Sequence, residues 1–258
     1  MAKPDVVAAL RAAGCVFAED EAQLLTASAR TPSELAAMVE RRAAGHPLEH
    51  VVGWAEFCGL RITVDPGVFV PRRRTEFLVR RAAALCRPLR APVVVDLCCG
   101  SGAVAAALAA TLGGAKVHAA DIDPAAVRCA RRNLVPPRAH VHEGDLYAAL
   151  PSRLRGHIDV LVANAPYVPT AAIGLLPTEA REHEPLVALD GGTDGLDVQR
   201  SVARSAADWL VPGGHLLVET SRRQAPSSAQ AFADGGLCVE VAQCEELDAT
   251  VVIGTRTR

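Results

Sequence analysis

An α/β fold with a mostly parallel sheet is predicted by three features of the chain. From residue 93 onward, short apolar strands alternate with helical segments, which implies parallel strands covered on both faces. The first of these strands runs directly into a glycine turn, Asp96-Leu97-Cys98-Cys99-Gly100-Ser101-Gly102. The last two strands, residues 237–242 and 250–254, are separated by a short polar stretch and predict a terminal antiparallel hairpin.

The elements follow in order. Residues 1–50 read as a small helical domain whose natural role is to bind a partner or cover a site. Its segments are 5–13, 19–29 and 32–44. Thr31 is placed to cap the third, with Pro32 in the first turn and Glu34 at the capping-box position. Gly14 and Gly45 close the first and third. Residues 51–74 read as a β-hairpin linker, rich in β-formers and broken by Gly59 and Asp65-Pro66-Gly67. The main domain, 75–258, opens with a helix to about residue 86. Strands are then expected at 93–96, 116–120, around Val141, 158–163 and 215–219, with helices at 103–112, 124–134, 196–210 and 227–233.

Composition excludes several classes. The chain has 258 residues, half of them hydrophobic, which is enough for a core domain and a smaller one. A net charge of −2 argues against a nucleic-acid-coating protein, so direct nucleic-acid binding is not expected. No apolar run approaches the ~20 residues of a membrane span, and the N-terminus lacks an export signal, so no membrane partner and a cytoplasmic location are expected. The eight cysteines form no C-x-x-C pair and no zinc-ligand spacing, so no metal is expected and the thiols read as free and buried.

A glycine turn after a strand lets backbone approach a ligand closely, and alone it also suits a dinucleotide. Asp96 shifts the balance. A carboxylate before the turn repels a pyrophosphate and attracts a cation, such as the amino group of S-adenosylmethionine. Asp121 ends the second strand, where a carboxylate can accept both ribose hydroxyls. Asp145, after the third strand, is placed to meet an adenine amino group. Cys98, Gly100, Gly102, Ile122 and Leu146 complete the expected cofactor contacts, with Asn164 beside them. The alternative role for these acids is to cap the helices that follow, and Asp123 is read as the cap of the helix opening at Pro124.

The fourth strand runs into Asn164-Ala165-Pro166-Tyr167. An amide nitrogen is a poor nucleophile because its lone pair is delocalised into the carbonyl, so it needs orientation more than a strong base. The Asn164 side-chain oxygen can accept one N–H and the Ala165 carbonyl the other. Pro166 holds Ala165 extended, which points that carbonyl. Tyr167 offers a flat surface to a planar amide or base. The competing reading is an ordinary Asn-x-Pro turn at a strand end.

Asn164-Ala165-Pro166-Tyr167 resembles the N-P-P-Y motif of amino-methyltransferases. The segments Arg41–Leu48, Val64–Arg72, His183–Leu196 and Gly213–Glu219 resemble the release-factor glutamine methyltransferase family, of the HemK/PrmC type, over nearly the whole chain. The resemblance implies a Rossmann-like class I S-adenosylmethionine-dependent methyltransferase domain behind a helical N-terminal domain. It implies transfer of a methyl to the side-chain nitrogen (N5) of a glutamine in a peptide-chain release factor. It assigns residues 164–167 to the amide, and the loop at Gly100, Asp121 and Asp145 to the cofactor. Two departures mark a divergent member. Ala165 replaces the first proline of N-P-P-Y, and Arg73-Arg74 replace the proline and acid of the usual P-R-P-E/D-T-E. The pair reads either as a changed acceptor surface or as a solvated run. A small-molecule, peptide or nucleic-acid-base N-methyltransferase using the same Asn164 site is the alternative.

Overall fold

The computed structural model describes residues 3–257. Four helices come first: α1 (Lys3–Ala12), α2 (Ala18–Ser28), α3 (Pro32–Ala43) and α4 (Leu48–Val52). Thr31 caps α3 as its sequence indicates, its Oγ1 accepting the Glu34 N–H at 3.1 Å. Glu34 reaches one residue past the capping-box position and accepts the Arg30 N–H at 2.9 Å. Val6, Leu10, Ala22, Leu25, Leu35 and Val39 close an apolar cluster separate from the two that flank the main sheet.

The strands β1 (Trp54–Phe57) and β2 (Leu60–Thr63) form an antiparallel hairpin. Its turn residues Cys58 and Gly59 both have positive φ (51° and 73°), the geometry that matches strand twist. The hairpin is shorter than the 54–70 stretch of β-forming residues. Beyond Thr63 the chain continues as an unpaired strap to residue 72, broken by the Asp65–Gly67 turn and by two prolines that cannot donate to a ladder.

The remaining elements are α5 (Glu76–Cys86), β3 (Val93–Leu97), α6 (Ala103–Thr111), β4 (Lys116–Asp121), α7 (Pro124–Asn133), β5 (Ala139–Glu143), β6 (Ile158–Ala163), α8 (Thr178–His183), α9 (Asp197–Trp209), β7 (Leu210–Thr220), α10 (Ala225–Asp234), β8 (Leu237–Cys244) and β9 (Ala249–Arg256). The seven-stranded sheet has the order β5-β4-β3-β6-β7-β9-β8, and only β9 runs against the others. The mostly parallel sheet and its terminal hairpin are therefore as predicted. The hairpin folds back, however, so that β9 and not β8 meets β7. Element boundaries shift by a few residues, most at the α9–β7 junction. α9 stops at Trp209, and β7 begins five residues before His215 through an irregular pairing of Leu210 with Ile158.

The chain leaves β3 toward β4 and β5 on one side, then crosses to β6 and β7 on the other. The switch point therefore lies between β3 and β6, where open α/β sheets hold their ligands beyond the carboxyl ends of the strands. Leu97 pairs in register with both Ala120 and Ala163, and Asp121 with Glu143. The residues that follow each strand thus emerge at one level along one edge.

Three histidines stack on one face of the sheet's β4–β5 edge. His118 is 4% exposed, and its Nδ1 lies 3.0 Å from Nε2 of His142, with His140 stacked at 5.2 Å. Burial, with the neighbouring His142, His140, Arg153 and Lys116, lowers the His118 pKa from 6.5 to about 4. The unfolded chain therefore takes the proton first. Stability from this group is complete above pH 6.5 and is lost as the pH falls to about 4. Denaturant titrations are expected to show an acid loss about 1–3 kcal/mol larger for the native chain than for His118→Gln across that window. Parallel losses in the two proteins would refute the assignment.

Candidate active site

A cleft at the switch point is lined by Asp96, Cys98, Cys99 and Gly100 from the end of β3 and its turn, by Asp121, Ile122 and Asp123 at and after the end of β4, by Asp145 and Leu146 after β5, and by Asn164 and Pro166 after β6. Its other walls are Val68, Phe69 and Pro71 of the strap and Pro185, Val187 and Ala188 of the segment after α8. Glu184, almost wholly buried, joins these two walls. It accepts the Val70 N–H at 3.1 Å and two bonds from Arg72 Nη2 at 2.6 Å each. Four aspartates line the cleft, and no lysine or arginine is among its lining residues. Such a lining suits a cationic nucleoside and opposes a pyrophosphate.

Three of the four acids are held by backbone N–H groups. Asp96 is 1% exposed, and its Oδ2 accepts the Ala105 N–H at 3.1 Å, so it also caps α6. Burial raises its carboxyl to about 8, against that hydrogen bond and with a further rise from Asp121. Asp121 Oδ2 accepts the Gly100 N–H at 2.7 Å, and its Oδ1 the Asp123 N–H at 2.9 Å. One carboxylate therefore ties the glycine turn to the end of β4. Asp123 caps α7 through the Ala125 N–H at 2.8 Å, as its sequence position indicates. Cys98 (φ 58°) and Leu146 (φ 43°) adopt left-handed conformations that cost a non-glycine residue about 1 kcal/mol or more. Burial raises the Cys98 thiol far above its ordinary range, so it stays protonated and unreactive.

Of the sequence-predicted cofactor residues, Gly102 stands outside the cleft lining. It is the N-cap of α6 with φ 77°, and a Cβ there would lie 3.0 Å from Leu134 and 3.1 Å from Ala130. It is glycine because α7 packs against it. Ala165 and Tyr167 line a second groove beside the cleft, with Arg72, Arg74, Glu179, Glu184 and Arg222. Asn164, Pro166, Phe69 and Ala188 line both cavities. Asn164 therefore stands at the junction of the two. Its Nδ2 donates to Thr75 Oγ1 at 3.3 Å, which leaves Oδ1 without a partner among the described residues, and the Ala165 carbonyl likewise accepts no bond among them. Two adjacent acceptors are free, as an NH₂ group requires.

Thr75 was legible in the sequence only as a helix opener, and it is 2% exposed. No local pattern couples it to a residue 89 positions away. The two arginines separate. Arg73 lies toward a surface hollow between β1 and α5, whereas Arg74 lines the groove beside Tyr167. All eight cysteines are free among the described residues. Cys238 is exposed and not buried as expected, since it faces outward on the edge strand β8.

A mostly parallel sheet with this switch-point cleft, an acid-lined glycine turn and a free-acceptor Asn loop defines a class I S-adenosylmethionine-dependent methyltransferase. The methyltransferase small domain family matches residues 59–176. A Geobacter sulfurreducens protein, the release factor glutamine methyltransferase, is 42% identical over 80% of this chain and 73% of its own length. The 4-amino-L-phenylalanine/4-methylamino-L-phenylalanine methyltransferase of Streptomyces pristinaespiralis is 41% identical over 75% of this chain and 69% of its own. Among solved structures, a methyltransferase from Pyrococcus furiosus shares the fold at TM-score 0.57 and 16% identity, covering 88% of this chain and 100% of that one. The chain belongs to the release factor glutamine methyltransferase family.

Proposed function

We propose that the chain methylates the N5 side-chain nitrogen of a glutamine in a protein of the release-factor class. The observation that carries this reading is Asn164 at the junction of cleft and groove, with acceptors on two consecutive residues, Asn164 and Ala165, free of partners among the described residues. S-adenosylmethionine supplies the electrophilic methyl from its sulfonium. Asp121 takes the ribose hydroxyls, Asp145 the adenine amino group and Asp96 the ammonium. Cys98, Gly100, Ile122 and Leu146 form the surrounding wall. On the groove side, Asn164 Oδ1 and the Ala165 carbonyl accept the two amide N–H groups and turn the nitrogen's reacting face toward the cleft. Such orientation can supply about 7–11 kcal/mol of a barrier in favourable cases. Tyr167 packs against the amide plane.

The helices of residues 1–50 are assigned to acceptor docking, with 51–74 as the linker and 75–258 as the methyltransferase domain. In support, buried Arg42 bonds Glu21 of α2 at 2.6 Å and Glu179 on the groove wall at 2.6 Å, and His46 stacks on His183 at 4.2 Å. No helix among the described residues is long and apolar enough to cross a membrane.

The test is mass spectrometry of release factors incubated with the enzyme and labelled cofactor. One added methyl on a glutamine side chain is the expected result. Absence of label there, with label on an aryl-amine amino acid, would instead establish the second reading, which the Streptomyces relative favours.

Cofactor binding should also carry a proton signature. Asp96 is largely protonated below about pH 8 and must ionise to face an ammonium. Affinity is expected to fall as the pH drops below that value, with uptake of the cofactor releasing a proton. Calorimetry in buffers of different ionisation enthalpy measures the release, and a buffer-independent enthalpy would exclude it.

A further inference from the structure

Arg74 is one of the residues where the chain departs from the family motifs, and it makes three contacts at the groove. Its Nε donates to Glu219 Oε1 at 3.1 Å, its Nη2 donates to Tyr167 Oη at 2.5 Å, and its guanidinium carbon lies 5.8 Å from the centre of the Tyr167 ring. Glu219 is 2% exposed at the end of β7, and its Oε2 has no hydrogen-bond partner among the described residues. A buried carboxylate with one bare oxygen depends on the cation bonded to its other oxygen. The next residue, Thr75, holds Asn164. One turn of chain therefore braces both ends of the Asn-Ala-Pro-Tyr loop, Arg74 at Tyr167 and Thr75 at Asn164.

We propose that Arg74 is a positioning residue for methyl transfer, a clamp that fixes Tyr167 to the buried Glu219 and thereby holds the acceptor loop. The two departures from the family motif then belong together. Ala165 removes a proline that stiffens the loop from within, and Arg74 stiffens it from outside. The planar guanidinium suits the task because it reaches two partners in fixed directions, which a lysine ammonium does not. The bracing is not left to Arg74 alone at the backbone. Gln224 Nε2 donates to the Tyr167 carbonyl at 2.9 Å, and the Val168 N–H donates to Leu189 O at 3.0 Å. These bonds hold the main chain on the C-terminal side of Tyr167, and Arg74 adds a hold on its ring.

The groups facing this cluster are few. Tyr167, Glu219 and Asp248 face Arg74, and Arg72, Arg74 and Thr75 face Glu219. Burial raises the Glu219 carboxyl, and the Thr75 hydroxyl and the arginines oppose that rise. Loss of Arg74 would raise it further and bring an acid limb into the rate profile at higher pH.

The kinetic arm of the test rests on the amide-methylation reading, and a spectroscopic arm does not. The chain has two tyrosines, so carbon-labelled tyrosine gives two ring signals, assigned with Tyr147→Phe. In Arg74→Ala the Tyr167 signal is expected to move and sharpen, with kcat down about tenfold, cofactor affinity held within about twofold and the acid limb shifted upward. Arg74→Lys restores the charge beside Glu219 but not the fork, so the Tyr167 signal still moves and kcat recovers only in part. Arg74→Ala with Glu219→Gln removes the stranded charge, keeps the fold and still frees the ring. A Tyr167 signal unmoved in that double variant overturns the clamp, and so does full recovery of kcat by lysine. If the native chain methylates no glutamine, the function reading fails, and the ring signal still decides the clamp.

Discussion

Asn164→Ala is expected to lower kcat by about 10²–10³-fold while S-adenosylmethionine affinity stays within about twofold. The side chain contributes one of two free acceptors, and its anchor is Thr75, not a group that recognises the nucleoside. Alanine leaves the β6 pairing and the glycine turn untouched, so the methyl donor binds. The acceptor nitrogen, however, loses its aim. Asn164→Asp sharpens the test. It keeps the shape and an acceptor oxygen, but adds a negative charge beside a cleft already lined by four aspartates. Cofactor binding holds or improves, and transfer still falls. Single-turnover methylation of the acceptor, with the donor pre-bound, is the measurement. A near-native rate for Asn164→Ala would reduce residues 164–167 to a turn.

Asp121→Ala is expected to weaken cofactor binding by about 10²-fold, more than loss of a single ribose contact predicts. A charge-assisted hydrogen bond contributes about 1.5–3 kcal/mol, which is roughly tenfold or more. Asp121 also accepts the N–H groups of Gly100 and Asp123, so its removal releases the glycine turn from β4. Asp121→Asn keeps an acceptor oxygen and loses the charge, so its affinity should fall between the two. Calorimetry provides the ranking. Equal affinities for native and Asp121→Ala protein would remove Asp121 from the site, and tight dinucleotide binding with no S-adenosylmethionine binding would overturn the cofactor reading.

The strands and helices from residue 93 onward were legible because their signals are local. Val93-Val94-Val95 and Val160–Ala163 are unbroken apolar runs that only a sheet covered on both faces buries. Asp123-Pro124 and Thr31-Pro32 announce helix starts by chemistry confined to one turn. Much of the cleft lining was legible for the same reason. Asp96 and Asp121 lie at the carboxyl ends of their strands, Asn164 and Asp145 follow theirs within two residues, and those ends share one edge.

The residues that sequence reading missed or misplaced depend on distant partners. Gly102 looks like a cofactor glycine until α7 is seen against it. Glu184 and Arg72 carry no pattern relating them across 112 positions, yet they hold two cleft walls together. The Arg73-Arg74 pair is one feature in the chain and two in space, because a short helical turn at residues 73–75 sends neighbouring side chains apart. By itself, the sequence determined the order of elements, the glycine turn, the acids at the strand ends and the Asn-Ala-Pro-Tyr loop, since each is written in residues next to one another. Only the tertiary structure decided that Thr75 anchors Asn164, that Arg74 spans Tyr167 and Glu219, and that Asn164 stands between cleft and groove. Those facts depend on strand order and register, which set residues about 90–145 positions apart within hydrogen-bond reach.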